Sequence, residues 1–255
     1  MKSLKRLLVG VIVVYLILGL VIFIFQRKFI YFPSAQNFNI CSNLPDASKV
    51  VYQGTRMYVH KSTSDWIVIY HGNAGSACDR SYYLNYFNVK DYSYIIVEYT
   101  GYSNDSAPPS QNALIKNVGA VNNYIKTQNP ATINVIGESL GTALAAYHSH
   151  INPPNKLILI SPFDSLEHVS QANFWFYPTG LMLWDKFPSG EWVQNANNVL
   201  IIQGSNDTTI PPKFGQALFQ QIPGLNKKLI IIPGAEHNNI YSNKLTIISI
   251  SNFLK

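Results

Sequence analysis

The stretch NVIGESLGTALAAYH, residues 134–148, joins a short β-branched run to a run of strong helix formers. Between the two lies Gly137-Glu138-Ser139-Leu140-Gly141. Read as a strand, a sharp turn and a helix, it puts Ser139 at a helix N-terminus, where backbone N–H groups face a developing anion. The glycines on either side allow helix and strand to pack closely. A five-residue pattern of this kind also arises by chance, so the rest of the chain must decide whether Ser139 is a nucleophile.

Outward from this stretch, short apolar or aromatic runs alternate with longer helical patterns. The runs 66–70, 94–99, 133–136, 157–160, 199–203 and 229–232 read as strands, and 78–88, 111–127, 140–150, 212–221 and 241–254 as helices. Apolar runs of this length suit strands buried on both faces, and their alternation with helices predicts a mostly parallel sheet covered on both sides. The segment KVVYQGTRMYVHKS, residues 49–62, reads as a hairpin. The expected organisation is an N-terminal anchor over 1–28, a lead-in over 29–48, and one α/β domain over 49–255. An aromatic, cap-like insertion at about 164–192 interrupts that domain and is expected to form one wall of an apolar pocket.

In an open parallel sheet, reacting groups lie beyond the carboxyl ends of the strands. A serine there needs a base, and the base needs an acid to fix its tautomer. In the order Ser…Asp…His, His237 in IIIPGAEHNNIY is the base and Asp207 in LIIQGSNDTTIPP the acid. Asp164 is the rival acid, or else the cap of the helix that follows it. His148 and His150 read as partners of a helix C-terminus and His168 as a surface residue. The oxyanion donors are expected to be the backbone N–H groups of Leu140, after the nucleophile, and Asn73 in HGNAGSACDR, with Ala74 next to it. That small-residue loop lacks the lysine ending of a phosphate-binding loop.

The chain has 255 residues and a net charge of +6. Lys2, Lys5, Arg6, Arg27 and Lys28 flank one apolar run, Leu7–Phe25, and without them 14 basic residues face 13 acidic ones. The body is near neutral, and no nucleic-acid partner is expected. The run has 19 residues, long enough to cross a hydrocarbon core, and no small-residue cleavage site follows it, which favours an anchor over a signal peptide. The flanking charges lean toward a cytoplasmic N-terminus. Cys41 and Cys78 read equally well as a pair or as free thiols. Sequons occur at Asn104 and Asn206; a glycan on the second would crowd the proposed acid.

The segments YHGNAGS, VEYTGYS, VIGESLGTALA, LISPFDSL, LIIQGSNDTTIP and PGAEHNN together resemble the α/β-hydrolase superfamily. More narrowly they resemble its membrane-anchored Bem46-like and ABHD13-type branch, which the N-terminal anchor also matches. The resemblance implies Ser139 as nucleophile, Asp207 as acid and His237 as base. It implies hydrolysis of an acyl ester or thioester, with neither metal nor organic cofactor. The aromatic insertion and the anchor together point to lipid-like acyl groups. A peptidase on the same scaffold and a non-catalytic membrane scaffold remain alternatives. The relatives carry Asp-Tyr-Arg-Gly-Tyr-Gly where this chain has Glu98-Tyr99-Thr100-Gly101-Tyr102-Ser103, so different substrate contacts are expected there.

Overall fold

The computed structural model describes residues 2–255. The chain opens with α1, Lys2–Ile30, a single helix whose most apolar window has a mean hydropathy of 3.3. It is the one described helix long and apolar enough to cross a membrane. Arg27 and Lys28 occupy its last turn, where they complement the helix dipole. The helix runs two residues past the basic pair, into the lead-in.

Ten strands follow. Strand β1 is Phe32–Pro33, and β2 (Ser48–Tyr52) and β3 (Thr55–His60) form the expected hairpin. Next come β4 (Asp65–Tyr70), β5 (Ala74–Gly75), a kinked 3₁₀ segment (Ala77–Asn85) and β6 (Ser93–Glu98). Then follow α2 (Gln111–Lys126), β7 (Thr132–Glu138), α3 (Leu140–Ile151) and β8 (Lys156–Ile160). The insertion supplies α4 (Leu166–Asn173), α5 (Thr179–Met182) and α6 (Ser189–Trp192). The chain closes with β9 (Val199–Gly204), α7 (Pro212–Gln221), β10 (Lys227–Ile232) and α8 (Lys244–Leu254).

Eight strands form one sheet in the order β10-β9-β8-β7-β4-β6-β3-β2, and β3 alone runs against the rest. Successive strand residues bury opposite faces, as the two-residue period of a strand requires. Val68, Tyr70 and Val135 pack with Leu114, Val118, Leu144 and Leu218 of α2, α3 and α7. Ile67, Ile69 and Ile136 pack with Tyr83, Tyr86, Ile250 and Leu254 on the other side. The expected doubly covered, mostly parallel sheet is therefore present.

β1 and β5 form a separate two-stranded parallel link, pairing Phe32 with Ala74 and Pro33 with Gly75. A disulfide joins Cys41 to Cys78, so the lead-in is fastened to the 3₁₀ segment as well. The two cysteines are thus a pair, although either reading was open from sequence.

Candidate active site

Ser139 stands between β7 and α3 with φ 49° and ψ −118°, a left-handed conformation that costs a non-glycine residue on the order of 1–3 kcal/mol. Its surroundings hold it there. The Ser139 N–H donates to Ile160 O at 2.9 Å, and Thr142 returns both its N–H and its hydroxyl to Ser139 O. The two glycines leave no alternative residue. A Cβ on Gly141 would run into the carbonyl oxygens of Tyr70 and His71, and one on Gly137 would lie 2.6 Å from Gly141 O. The turn is thus forced by packing against β4.

Asp207 and His237 follow β9 and β10, so all three proposed groups sit at carboxyl ends of strands. His237 Nε2 lies 3.0 Å from Ser139 Oγ, and His237 Nδ1 lies 2.8 Å from Asp207 Oδ2. A carboxylate only accepts, so Nδ1 carries the hydrogen and Nε2 presents its lone pair to the serine hydroxyl. Asp207 is almost fully buried and completely used. Its Oδ1 accepts from the N–H groups of Thr209 (3.0 Å) and Ile210 (2.8 Å), and its Oδ2 also accepts from Gln203 Nε2 at 3.2 Å.

Asp164 is elsewhere. It pairs with the exposed His168 at 2.5 Å, one turn along the chain, and the cap of α4 is Ser165, whose hydroxyl accepts from His168 N–H. His148 is fully buried and bonded to Tyr70 Oη at 2.8 Å, and burial pushes its pKa down to about 4. It is neutral near pH 7, so the expected charge–dipole interaction with the end of α3 is absent.

Asn73 and Leu140 line the same cavity as Ser139. Leu140 is the first residue of α3, so its N–H has no acceptor within the helix. The loop carrying Asn73 is braced from several sides. Tyr99 Oη donates to His71 O, Tyr102 Oη donates to Asn73 O, and Asn73 Nδ2 donates to Ile30 O, each within 2.7–2.8 Å. Arg80 bridges Ala74 O (2.7 Å) and Glu138 Oε2 (3.1 Å), tying the loop to the turn at Ser139. The segment Glu98–Ser103 therefore supports this loop from behind. None of its residues lines the cavity, in contrast to the substrate contacts expected from sequence.

Beneath the loop, His71 and Glu98 face each other at 3.8 Å in full burial. His71 Nδ1–H donates to Gly72 O at 2.7 Å, which leaves Nε2 as a bare acceptor. Burial holds His71 well below its usual range and raises Glu98 to about 7. A protonated Glu98 turns a hydroxyl toward that acceptor, which gives both otherwise unpartnered atoms a complementary neighbour.

The cavity has a volume of about 230 Å³. Phe174 and Tyr177 of the aromatic insertion line it, whereas Phe187 and Trp192 are core and Trp175, Phe176 and Trp184 are exposed. One wall was not anticipated from sequence: Ile22, Phe23, Gln26 and Ile30 of α1. Among the described residues, no cluster of three or more His, Cys, Asp or Glu is placed to hold a metal ion.

Comparison with known proteins found no matching family model. An uncharacterised Mycobacterium tuberculosis protein is 30% identical over 94% of this chain and 90% of its own length. An α/β hydrolase of Acanthamoeba polyphaga mimivirus is also 30% identical, over 71% of this chain and 70% of its own. Among solved structures, Est1E from Butyrivibrio proteoclasticus with ferulic acid bound superimposes with a TM-score of 0.66. It covers 82% of this chain and 98% of that one at 18% identity, a likeness of fold.

Proposed function

This chain belongs to the α/β-hydrolase superfamily, and on that premise we propose that it is a membrane-anchored serine hydrolase cleaving acyl esters or thioesters. The observation that carries the proposal is the unbroken line Ser139 Oγ–His237 Nε2–Asp207, at 3.0 and 2.8 Å, opening on a cavity with apolar walls. Ser139 Oγ attacks the acyl carbonyl as His237 Nε2 takes its proton. The backbone N–H groups of Leu140 and Asn73 receive the oxyanion. Asp207 holds the imidazole and stabilises its charged form. Collapse expels the alcohol or thiol, which takes the proton from His237. Water then enters by the same steps in reverse order and frees the acid.

The anchor reading is supported by how α1 is built into the fold. Gln26, buried, donates to Met182 O and accepts from the N–H of Trp184, and Arg27 pairs with Asp185 at 3.0 Å. A leader cut away after export has no reason to be fastened in this manner. The disulfide supports placing the body on the oxidising side of the membrane, in line with the basic N-terminal flank.

The test is labelling with a fluorophosphonate probe. Wild type should label and Ser139→Ala should not. Folded wild-type protein that stays unlabelled would refute the proposal.

A further inference from the structure

We infer that α1 is a wall of the acyl site as well as a tether, and that the substrate is a long-chain acyl ester or thioester drawn from the bilayer along this helix. The inference rests on the serine-hydrolase reading above and adds to it where the acyl chain lies.

The cavity beside Ser139 is lined by Ile22, Phe23 and Gln26 of α1 and by Val169, Tyr177 and Met182 of the insertion. The position of those α1 residues along the membrane normal is informative. Arg27 and Lys28 end the apolar run and mark the interface, and Asn73, the proposed oxyanion residue, is bonded to Ile30 O just outside it. From Ile30 back to Ile22 is about 12 Å of helix, directed into the hydrocarbon. An acyl carbonyl held at Ser139 thus sits near the surface, and its chain lies along α1 inside one leaflet. This is the disposition that a membrane lipid or a lipidated side chain already has.

The insertion lies at the same depth. Tyr15, midway along the apolar run, stacks on Tyr177 at 4.6 Å, and its hydroxyl donates to Phe176 O while Tyr177 Oη donates to Tyr15 O. Gly19 packs against the Tyr177 ring. From Tyr15 to Phe25 is about 15 Å, roughly half of a hydrocarbon core. The outer face of the insertion suits that place: Trp175 is 77% exposed and Leu181 90%, with Phe176 and Trp184 half exposed beside them. Such a patch is costly in water and is at home in contact with a bilayer. The helix is also joined to the chemistry, because Phe32 N–H donates to Asn73 O at 2.9 Å and β1 pairs with β5 beside the oxyanion loop.

The test uses the full chain reconstituted in phosphatidylcholine vesicles, with p-nitrophenyl butyrate and palmitate as probes. Ile22→Trp should narrow the inner end of the cavity and lower the palmitate-to-butyrate ratio of kcat/KM by about tenfold, the scale of a small steric change in an apolar pocket. Ile12→Trp, on the exposed first half of α1, should leave both rates as they are. In vesicles of lipid brominated along its chains, wild-type tryptophan fluorescence should be quenched, and Trp175→Phe should remove much of that quenching. Turnover of a monoacyl phospholipid or of an S-palmitoyl peptide in the same vesicles supports the inference and names the source of the chain. An unaltered ratio in Ile22→Trp, no quenching assignable to Trp175, or turnover of neither long-chain substrate while butyrate is cleaved overturns it. Absence of butyrate turnover and of fluorophosphonate labelling would instead strike the hydrolase reading itself.

Discussion

Replacing Asp207 by Asn should disable the proposed base while leaving its ring in place. The hydrogen bonds around the carboxylate decide how the new amide sits. Oδ1 faces two backbone donors, Thr209 N–H and Ile210 N–H, that cannot turn away, so the amide oxygen must occupy this site. The amide nitrogen then takes the place of Oδ2 and points its hydrogens at His237 Nδ1 and Gln203 Nε2. Gln203 keeps its bond to Ile210 O at 2.9 Å. His237 can satisfy the amide only by moving its hydrogen to Nε2, which turns a donor toward Ser139 and removes the lone pair that should accept the serine proton. Loss of this tautomer in a triad of this kind lowers kcat about 10⁴-fold, or about 5 kcal/mol in the barrier. The assay is kcat for a short-chain ester together with the rate of fluorophosphonate labelling, on protein whose circular dichroism matches wild type. Asp164→Asn, which loosens the pair with the exposed His168 and touches neither Ser139 nor His237, should stay within about twofold. If Asp207→Asn retained more than about a tenth of wild-type turnover, or Asp164→Asn were the more damaging, the assignment of the acid would be wrong.

Two further expectations concern stability. Burial raises Glu98 from its ordinary value of 4.5 to about 7, so between those limits the folded chain holds a proton that the unfolded chain releases. Its contribution to stability should therefore fall as pH rises from about 4.5 to about 7, by about 3 kcal/mol, and level off above, while His71 and His148, buried neutral, act in the opposite sense over part of that range. The stability difference between wild type and Glu98→Gln, from thermal melts across that range, should shift against wild type as pH rises, and a difference independent of pH would contradict the burial argument. The Cys41–Cys78 bond closes a loop with a sequence separation of 37. Its loss in Cys41→Ser should cost up to about 4 kcal/mol on chain-entropy grounds. Reductant should lower the melting temperature of wild type but not of the variant, and a melt insensitive to reductant would refute the expectation.

Much of the architecture was legible because local rules and global fold agree. The apolar runs ending at Tyr70, Ile136, Gln203 and Ile232 are short, unbroken and followed by turn-forming residues, so the strands could be placed from the chain alone to within a residue or two of their ends at Tyr70, Glu138, Gly204 and Ile232. Ser139, Asp207 and His237 were proposed through that placement, and the structure brings them within hydrogen-bonding distance. The features that escaped depend on contacts between distant segments. Gln26 reads as the polar end of an apolar helix, and nothing nearby announces that its amide clasps the backbone at 182 and 184. His148 sits in a helical last turn, where a charge is favourable, but it is buried against the sheet and bonded to Tyr70 of β4. Trp175 and Trp184 carry the same composition signal as a core cluster, and only the packing of the insertion against α1 reveals their outward face.

The bond from Asn73 Nδ2 to Ile30 O has a practical consequence for anyone preparing this protein. Membrane enzymes are commonly made tractable by cutting the gene just behind the hydrophobic segment and expressing the remainder. Here such a cut removes Ile22, Phe23 and Gln26 from the cavity, and at or beyond Ile30 it also removes the carbonyl that holds the Asn73 side chain. On the reading proposed above, the trimmed product would keep Ser139, Asp207 and His237 and still work poorly. Weak activity from that preparation would measure the missing helix rather than the quality of the triad, and a substrate screen run on it would be biased toward small soluble esters.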